Sequence, residues 1–361
     1  MLNKIFIKNT KFILIGLFIL CTVAFFIHKW EYRYDPNFKY ALIYANSYSP
    51  RSYIEFYDDN MKKVGKIKIN VGGLCAACER GQILNDKFYA QLKGTDYMLQ
   101  HKILELDLKT GKYNLLDSYQ GYNLCLAVNK DYIAVANASP QTHIVRIGKH
   151  GAPFKTISFE DDTMPTNLLI HKNKLYAFCA NEVPPISNLY QIDLDKFEIE
   201  KTIDVNKTGQ FHSGTISQIG DDIYFSNNAT YKPSLGANSY QPAPCHTITK
   251  CNLQTGQMSD IELKKDYPYD VLHYKGKLYI SHRANGRPGD KITVYDLKTG
   301  QQEVKTLDLP FFHMEVGNGK ICTVSEDHGF NVYDVNTFEK VNEIKGKKHP
   351  KYLLISLFVK P

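Results

Sequence analysis

Apolar and polar residues alternate over short stretches of this chain, and the alternation returns in one recognisable phrase. Ile103–Gly111 (ILELDLKTG), Leu189–Asp195 (LYQIDLD), Ile248–Gly256 (ITKCNLQTG) and Ile292–Gly300 (ITVYDLKTG) share it, and Phe330–Phe338 (FNVYDVNTF) repeats it without the glycine. Period-two alternation predicts half-buried β-strand. The Asp-Leu-Lys-Thr-Gly run that closes the phrase predicts a tight turn, its glycine supplying a positive φ. A second alternating strand follows, as at Gln302–Leu307. Ahead of each phrase stands an apolar strand containing tyrosine: Asp86–Ala90, Asn129–Val135, Asn173–Phe178, Asp222–Phe225 and Gly276–Ile280. One more short strand lies upstream again, as at Asn167–Ile170 and Asp270–His273.

Each unit is therefore four short strands, a to d, recurring over roughly forty residues, the period of a propeller blade. Seven units fit the chain. The first contributes only strands b, c and d, at Tyr40–Ala45, Ser52–Tyr57 and Lys63–Asn70. The apolar stretch Tyr352–Val359 has no partner after it and fits as the missing strand a, closing the ring and removing exposed strand edges. The expected fold is all-β, a seven-bladed β-propeller over residues 40–361, and the abundance of Tyr (25) and Phe (19) suits sheet.

Phe12–Ile27 is an uncharged apolar run preceded by Lys4, Lys8 and Lys11. By length and by the positive-inside rule it reads as one N-terminal transmembrane helix, a signal anchor, with its N-terminus in the cytoplasm. Thr22-Val23-Ala24 makes a poor cleavage site, because Phe25-Phe26-Ile27 continues the apolar run. The expected organisation is a cytoplasmic terminus (1–11), a span (12–28), a linker (29–39) and a propeller outside the cytoplasm, in the manner of a single-pass protein of the cell membrane. The formal charge is +7, but four lysines precede the first acid, Glu31, leaving +3 for the rest. That balance argues against a nucleic-acid partner, which needs a clustered basic face.

Candidate chemistry gathers on the upper face, where d–a and b–c loops meet. Registering the blades on the Leu-Tyr strands places Arg80, Asn123, Asn167, Thr215, Asp270 and His313 at equivalent positions, each opening an apolar strand a. Convergent polar groups in a channel mouth are a candidate ligand site. Blades six and seven add His282, Arg283, Arg287 and His328. His282, His313 and His328 could bind a divalent metal or act as a general acid or base, although their spacing is not that of a contiguous metal motif. Cys75-Ala-Ala-Cys78 suits a local disulfide, a redox pair or half a metal site, and an oxidising compartment favours the disulfide. Cys125, Cys179 and Cys322 fall within apolar strands and read as core. The segment Asn227–Pro244 reads as a long b–c loop of blade five suited to contacting a protein partner.

The Leu-Tyr strands (Leu175-Tyr176, Leu278-Tyr279) and the hairpin Tyr295–Gly300 resemble those of the extracytoplasmic YVTN-type (YncE-like) propellers, within the quinoprotein and WD-repeat-like superfamily. The resemblance spans about residues 40–359, and Tyr279-Ile-Ser-His282 is the nearest form of the name-giving tetrapeptide. It implies a fold rather than an activity. No complete motif of the related sugar lactonases or streptogramin lyases is present. The expected function is a binding or scaffold module for an envelope protein or small ligand at the channel mouth. The alternative is a lactonase-like or streptogramin-lyase-like hydrolase or lyase using the upper-face histidines.

Overall fold

A computed structural model describes residues 34–360 apart from 47, 76–79, 96–97, 119–122, 139–141, 149–152, 160–162, 183–184, 206–209, 212–214, 234–239, 285–286, 326–328 and 346–351. The expected span at 12–28 lies outside the described residues. Among those described there is no helix, and so none long and apolar enough to cross a membrane.

The strands form seven antiparallel sheets, the blades of a seven-bladed β-propeller. In blade one Leu353–Val359 pairs with Tyr40–Ala45, which pairs with Ser52–Tyr57 and then Lys63–Ile69. The two ends of the chain thus meet in one sheet, Tyr40 opposite Val359 and Leu42 opposite Leu357. Blades two, three and four follow at Gln82–Asp117, Asn123–Ser158 and Met164–Asp204, and blades six and seven at Pro268–Phe311 and His313–Ile344.

The repeated phrase folds by a repeated device. In blades two, four, six and seven the aspartate ending strand c accepts two turn amides: Asp107 from Lys109 and Thr110, Asp193 from Asp195 and Lys196, Asp296 from Lys298 and Thr299, Asp334 from Asn336 and Thr337. Asn252 does the same in blade five. Such an Asx turn competes well with further strand and reverses the chain. Gly111, Gly256 and Gly300 then adopt φ of 70°, 76° and 71°. Where the glycine is missing, Phe197 and Phe338 take φ of 55° and 62° instead. Phe197 is buried and packs into the core between blades three and four, which offsets that backbone cost.

Strand alternation puts apolar side chains on both faces of each blade, and seven buried clusters result, one between each pair of neighbouring blades. The cluster between blades one and two is the largest, and the chain ahead of Tyr40 belongs to it. Tyr34 meets Phe56 edge-on at 5.0 Å and donates through its hydroxyl to the Leu108 carbonyl at 2.6 Å. The end of the expected linker is therefore a strap across the lower face, where a–b and c–d turns lie. A Cβ on Gly111 would stand 2.6 Å from Tyr34 Cγ, at a φ that L residues disfavour. Gly111→Ala is expected to cost about 1–3 kcal/mol in urea melts, and Tyr34→Ala should not restore it fully, since the φ term remains.

Blade five departs from expectation. The segment 227–244 is mostly strand: Asp222–Pro233 and Tyr240–Asn252 pair as one ladder from Asp222 opposite Asn252 to Pro233 opposite Tyr240. Its prolines suggest a loop, but Pro242 and Pro244 are compatible with an edge strand, whose outer side needs no N–H donor. The strand a of this blade is split, Ser217–Ile219 pairing low on Asp222–Tyr224 and Gln210–Phe211 pairing higher, on Ala229–Thr230.

Candidate functional site

The seven a strands surround the channel, and four of them are bulged near their upper ends, between Asn123 and Cys125, Pro165 and Asn167, Pro268 and Val271, and Leu354 and Ser356. A bulge re-aims the side chains beside it. Arg80, just ahead of blade two, reaches blades six and seven across the channel. Its Nη1 lies 3.1 Å from Glu315 Oε1 and its Nη2 3.4 Å from Asp270 Oδ1. Nη2 also donates to the Met314 carbonyl. Asp270 is held further: Thr215 Oγ1 donates to its Oδ1 at 3.2 Å and Ser281 Oγ to its Oδ2 at 3.3 Å. The imidazole of His313, buried, places Nε2 3.3 Å from Glu315 Oε1. Burial works to raise the Glu315 carboxyl. The Arg80 charge and the hydrogen bond and charge of His313 outweigh it and hold the group below the usual carboxylate range.

Beside this cluster lies a cavity of about 450 Å³ walled by blades two to six. Arg80, Asn167, Thr215 and Asp270 line it together with Leu124, Leu168, Ile216, Leu272 and Tyr269. That volume and mixture are those of a small-molecule pocket.

No family model and no curated protein matches the chain. Solved structures do. The computationally designed Ika8 protein aligns at 12% identity and a TM-score of 0.57, covering 89% of this chain and 91% of its own. A functionally unknown protein from Desulfotomaculum acetoxidans aligns at 10% and 0.62, covering 89% and 98%. The WD40 domain of Neurospora crassa Pan2 aligns at 12% and 0.56, covering 88% and 91%. The likeness is one of fold. At such identities it assigns no activity to any residue.

Of the six registered positions, the structure brings Arg80, Thr215, Asp270 and His313 into one connected cluster and puts Asn167 on the cavity wall. Asn123 opens its strand opposite Asn137. His282 stands apart in strand b of blade six. Its Nδ1 donates to the Asp266 carbonyl at 2.9 Å and its Nε2 accepts from Thr293 Oγ1 at 2.7 Å. Burial pushes its pKa down to about 4. The unfolded chain therefore binds the proton first as pH falls from 6.5 towards 4, so the stability linked to His282 is present above that window and lost through it. The shift corresponds to about 3 kcal/mol at most, and His282→Gln should flatten the acid limb of ΔG against pH over that range.

Arg283 stacks on Tyr269 at 3.9 Å and donates to the Phe312 carbonyl at 3.0 Å, joining blades six and seven beside the cavity. Arg287 is exposed in the same loop. Cys75 is buried in the core between blades one and two, and Cys78 and His328 lie outside the described residues. Cys179 and Cys322 are buried as expected, whereas Cys125 is only half-buried and lines the cavity. Among the described residues no group of three or more His, Cys, Asp or Glu side chains could hold a metal ion. The sequence reading missed Glu315, two residues after His313. Alternation from His313 was the available signal, since both side chains fall on one face of the strand.

Proposed function

We propose that this protein is a membrane-anchored, extracytoplasmic propeller of the YVTN type that binds a small molecule or a protein segment at the channel mouth. The observation that carries the reading is the cavity beside the Arg80–Asp270–Glu315 cluster, where charged groups are fixed in position before any ligand arrives. Pre-organised polar groups cost little ordering on binding. The strap at Tyr34 supports the anchoring: the chain reaches the propeller at its lower face, so an anchor at 12–28 would leave the upper mouth facing away from the bilayer. Thermal-shift screening of pooled small molecules against wild type and Asn167→Ala tests the site. A compound that stabilises the first and markedly less the second supports it. Absence of any such compound, with an envelope protein captured equally well by both, would place recognition elsewhere. Alkaline phosphatase fused after Pro361 tests the topology, and an inactive reporter on a stable fusion would refute it.

A further inference from the structure

The lower face, where the strap joins the propeller, is divided by charge. Its innermost residues are the turns between strands a and b. In blades two to five these turns, at 84–87, 128–132, 171–174 and 219–222, hold four lysines and four aspartates. Most of these charges are paired: Asp86 with Lys109 at 2.7 Å, Lys87 with Glu105 at 2.9 Å, Lys172 with Asp221 at 2.5 Å and Lys174 with Asp193 at 2.6 Å. In blades six and seven the equivalent turns, 274–277 and 317–320, hold Lys275, Lys277 and Lys320 and no carboxylate. Blade one, whose strands a and b are the two ends of the chain, adds Lys360 and Lys39. One half of the inner ring is balanced, and the other carries five lysines without an acid.

The basic half is continuous with the strap. The Lys360 amide donates to the Lys39 carbonyl at 2.9 Å, and its ammonium reaches the Pro36 carbonyl. Asn318 Nδ2 donates to the Lys360 carbonyl at 3.2 Å, and the Gly319 amide to Tyr274 Oη at 2.8 Å. Lys39, Lys275 and Lys277 are exposed. Carboxylates bordering them are engaged: Asp334 lies 3.6 Å from Lys320, Asp296 accepts the amides of its turn, and Asp35 accepts that of Asn37. The c–d turns, farther from the axis, add Lys298 on this side but also Asp59 and Glu339. Chain length limits what this half can meet. Residues 29–33 separate the expected span from Tyr34, and six extended steps reach roughly 20 Å at most. An anchor at 12–28 would thus hold the lower face close to the headgroups, where lysines are attracted to anionic lipid. We propose that the basic half of the lower face docks on anionic headgroups of the bilayer that carries the anchor, seating the propeller with its channel mouth outward. This rests on the anchoring proposed above.

Lysine acetylation of the full chain by an N-hydroxysuccinimide ester, read by mass spectrometry, tests the docking. The chain is compared in nanodiscs of phosphatidylcholine and of an equimolar mixture with phosphatidylglycerol. Lys275 and Lys277 should react at least about threefold more slowly in the anionic discs, and about 0.5 M salt should erase the difference. Lys68, exposed near the upper end of strand d in blade one, should react alike in both. Lys275→Gln with Lys277→Gln should weaken the protection of Lys39 while leaving the melt unchanged. Flotation with phosphatidylcholine vesicles in the same high salt reads the anchor separately. A chain that floats but shows no lipid-dependent protection at Lys275 and Lys277 would overturn the docking and leave the anchor standing. A chain that fails to float would overturn the anchor, and the docking with it.

Discussion

Truncation after Lys348 should abolish cooperative unfolding of the propeller. The strand it removes, Leu353–Val359, is the innermost strand of blade one. Leu357 and Phe358 are buried, and Phe358 stacks on Phe88 of blade two at 4.1 Å while touching Phe38 edge-on at 6.1 Å. On its other side Leu357 packs with Val324 and Phe330 of blade seven. One strand therefore serves two interblade cores, and it is the strand that joins the two ends of the chain. Burying each such side chain is worth roughly 1.5–3 kcal/mol. Its loss would also uncover Ala41 and Leu42 and open an unpaired edge along Tyr40–Ala45. Against a net stability of about 5–15 kcal/mol, a folded ring should not survive. By contrast, shortening the tip of the blade-five hairpin within 234–239 should change stability by less than about 1 kcal/mol, because loop closure depends only weakly on length. Far-UV circular dichroism melts compare the two. A truncated protein that melted like the intact one would show that the ring does not depend on this closure.

The closure was legible in the sequence because it needed only counting. Six blades had four strands, one had three, and one apolar strand was left over. The hairpins were legible for a chemical reason, since the Asp that accepts two turn amides and the residue at positive φ are set by local sequence. Phe197 and Phe338 show where that logic stops. Their left-handed backbone is sustained by the surrounding structure and not by residue preference. The arm of blade five was hidden similarly: Pro242 and Pro244 read locally as loop, and only the partner strand Asp222–Pro233 makes strand of them.

The site was half legible. Registering the blades found Arg80, Thr215, Asp270 and His313 because each polar residue opens an apolar strand at the same phase. The register alone did not yield the pairing, which depends on the reach of an arginine across the channel and on bulges that turn particular side chains inward. Nor did it separate His282 from His313. The two differ by strand, b against a, and strand b puts His282 against Thr293 and the Asp266 carbonyl, away from the channel cluster.

Removing the guanidinium at the centre of that site should have a large effect with a distinctive pH dependence. Arg80→Ala leaves Asp270 and Glu315 without their shared cation. Breaking a buried pair this way costs about 3–5 kcal/mol, and since Glu315 is a quarter exposed the lower end, about 3 kcal/mol at pH 7, is expected. In the wild type Glu315 is held below the usual range, so its contribution is present above an unfolded pKa of 4.5 and fades as pH falls through the lower folded value. In the variant burial is opposed only by the hydrogen bond and charge of His313, so the carboxyl lies higher than it does in the wild type. Ionised Glu315 is then less favourable at neutral pH than in the wild type, and the variant loses less stability on acidification. The acid sensitivity of His282 is common to both proteins and cancels in the difference. The gap between wild type and Arg80→Ala in urea melts should therefore narrow from pH 7 to pH 4.5, and adding Glu315→Gln to the variant should recover part of it at pH 7. A gap independent of pH, with no recovery, would mean that Arg80 stabilises the channel by its packing and its bond to Met314, and that the carboxylates are held without it.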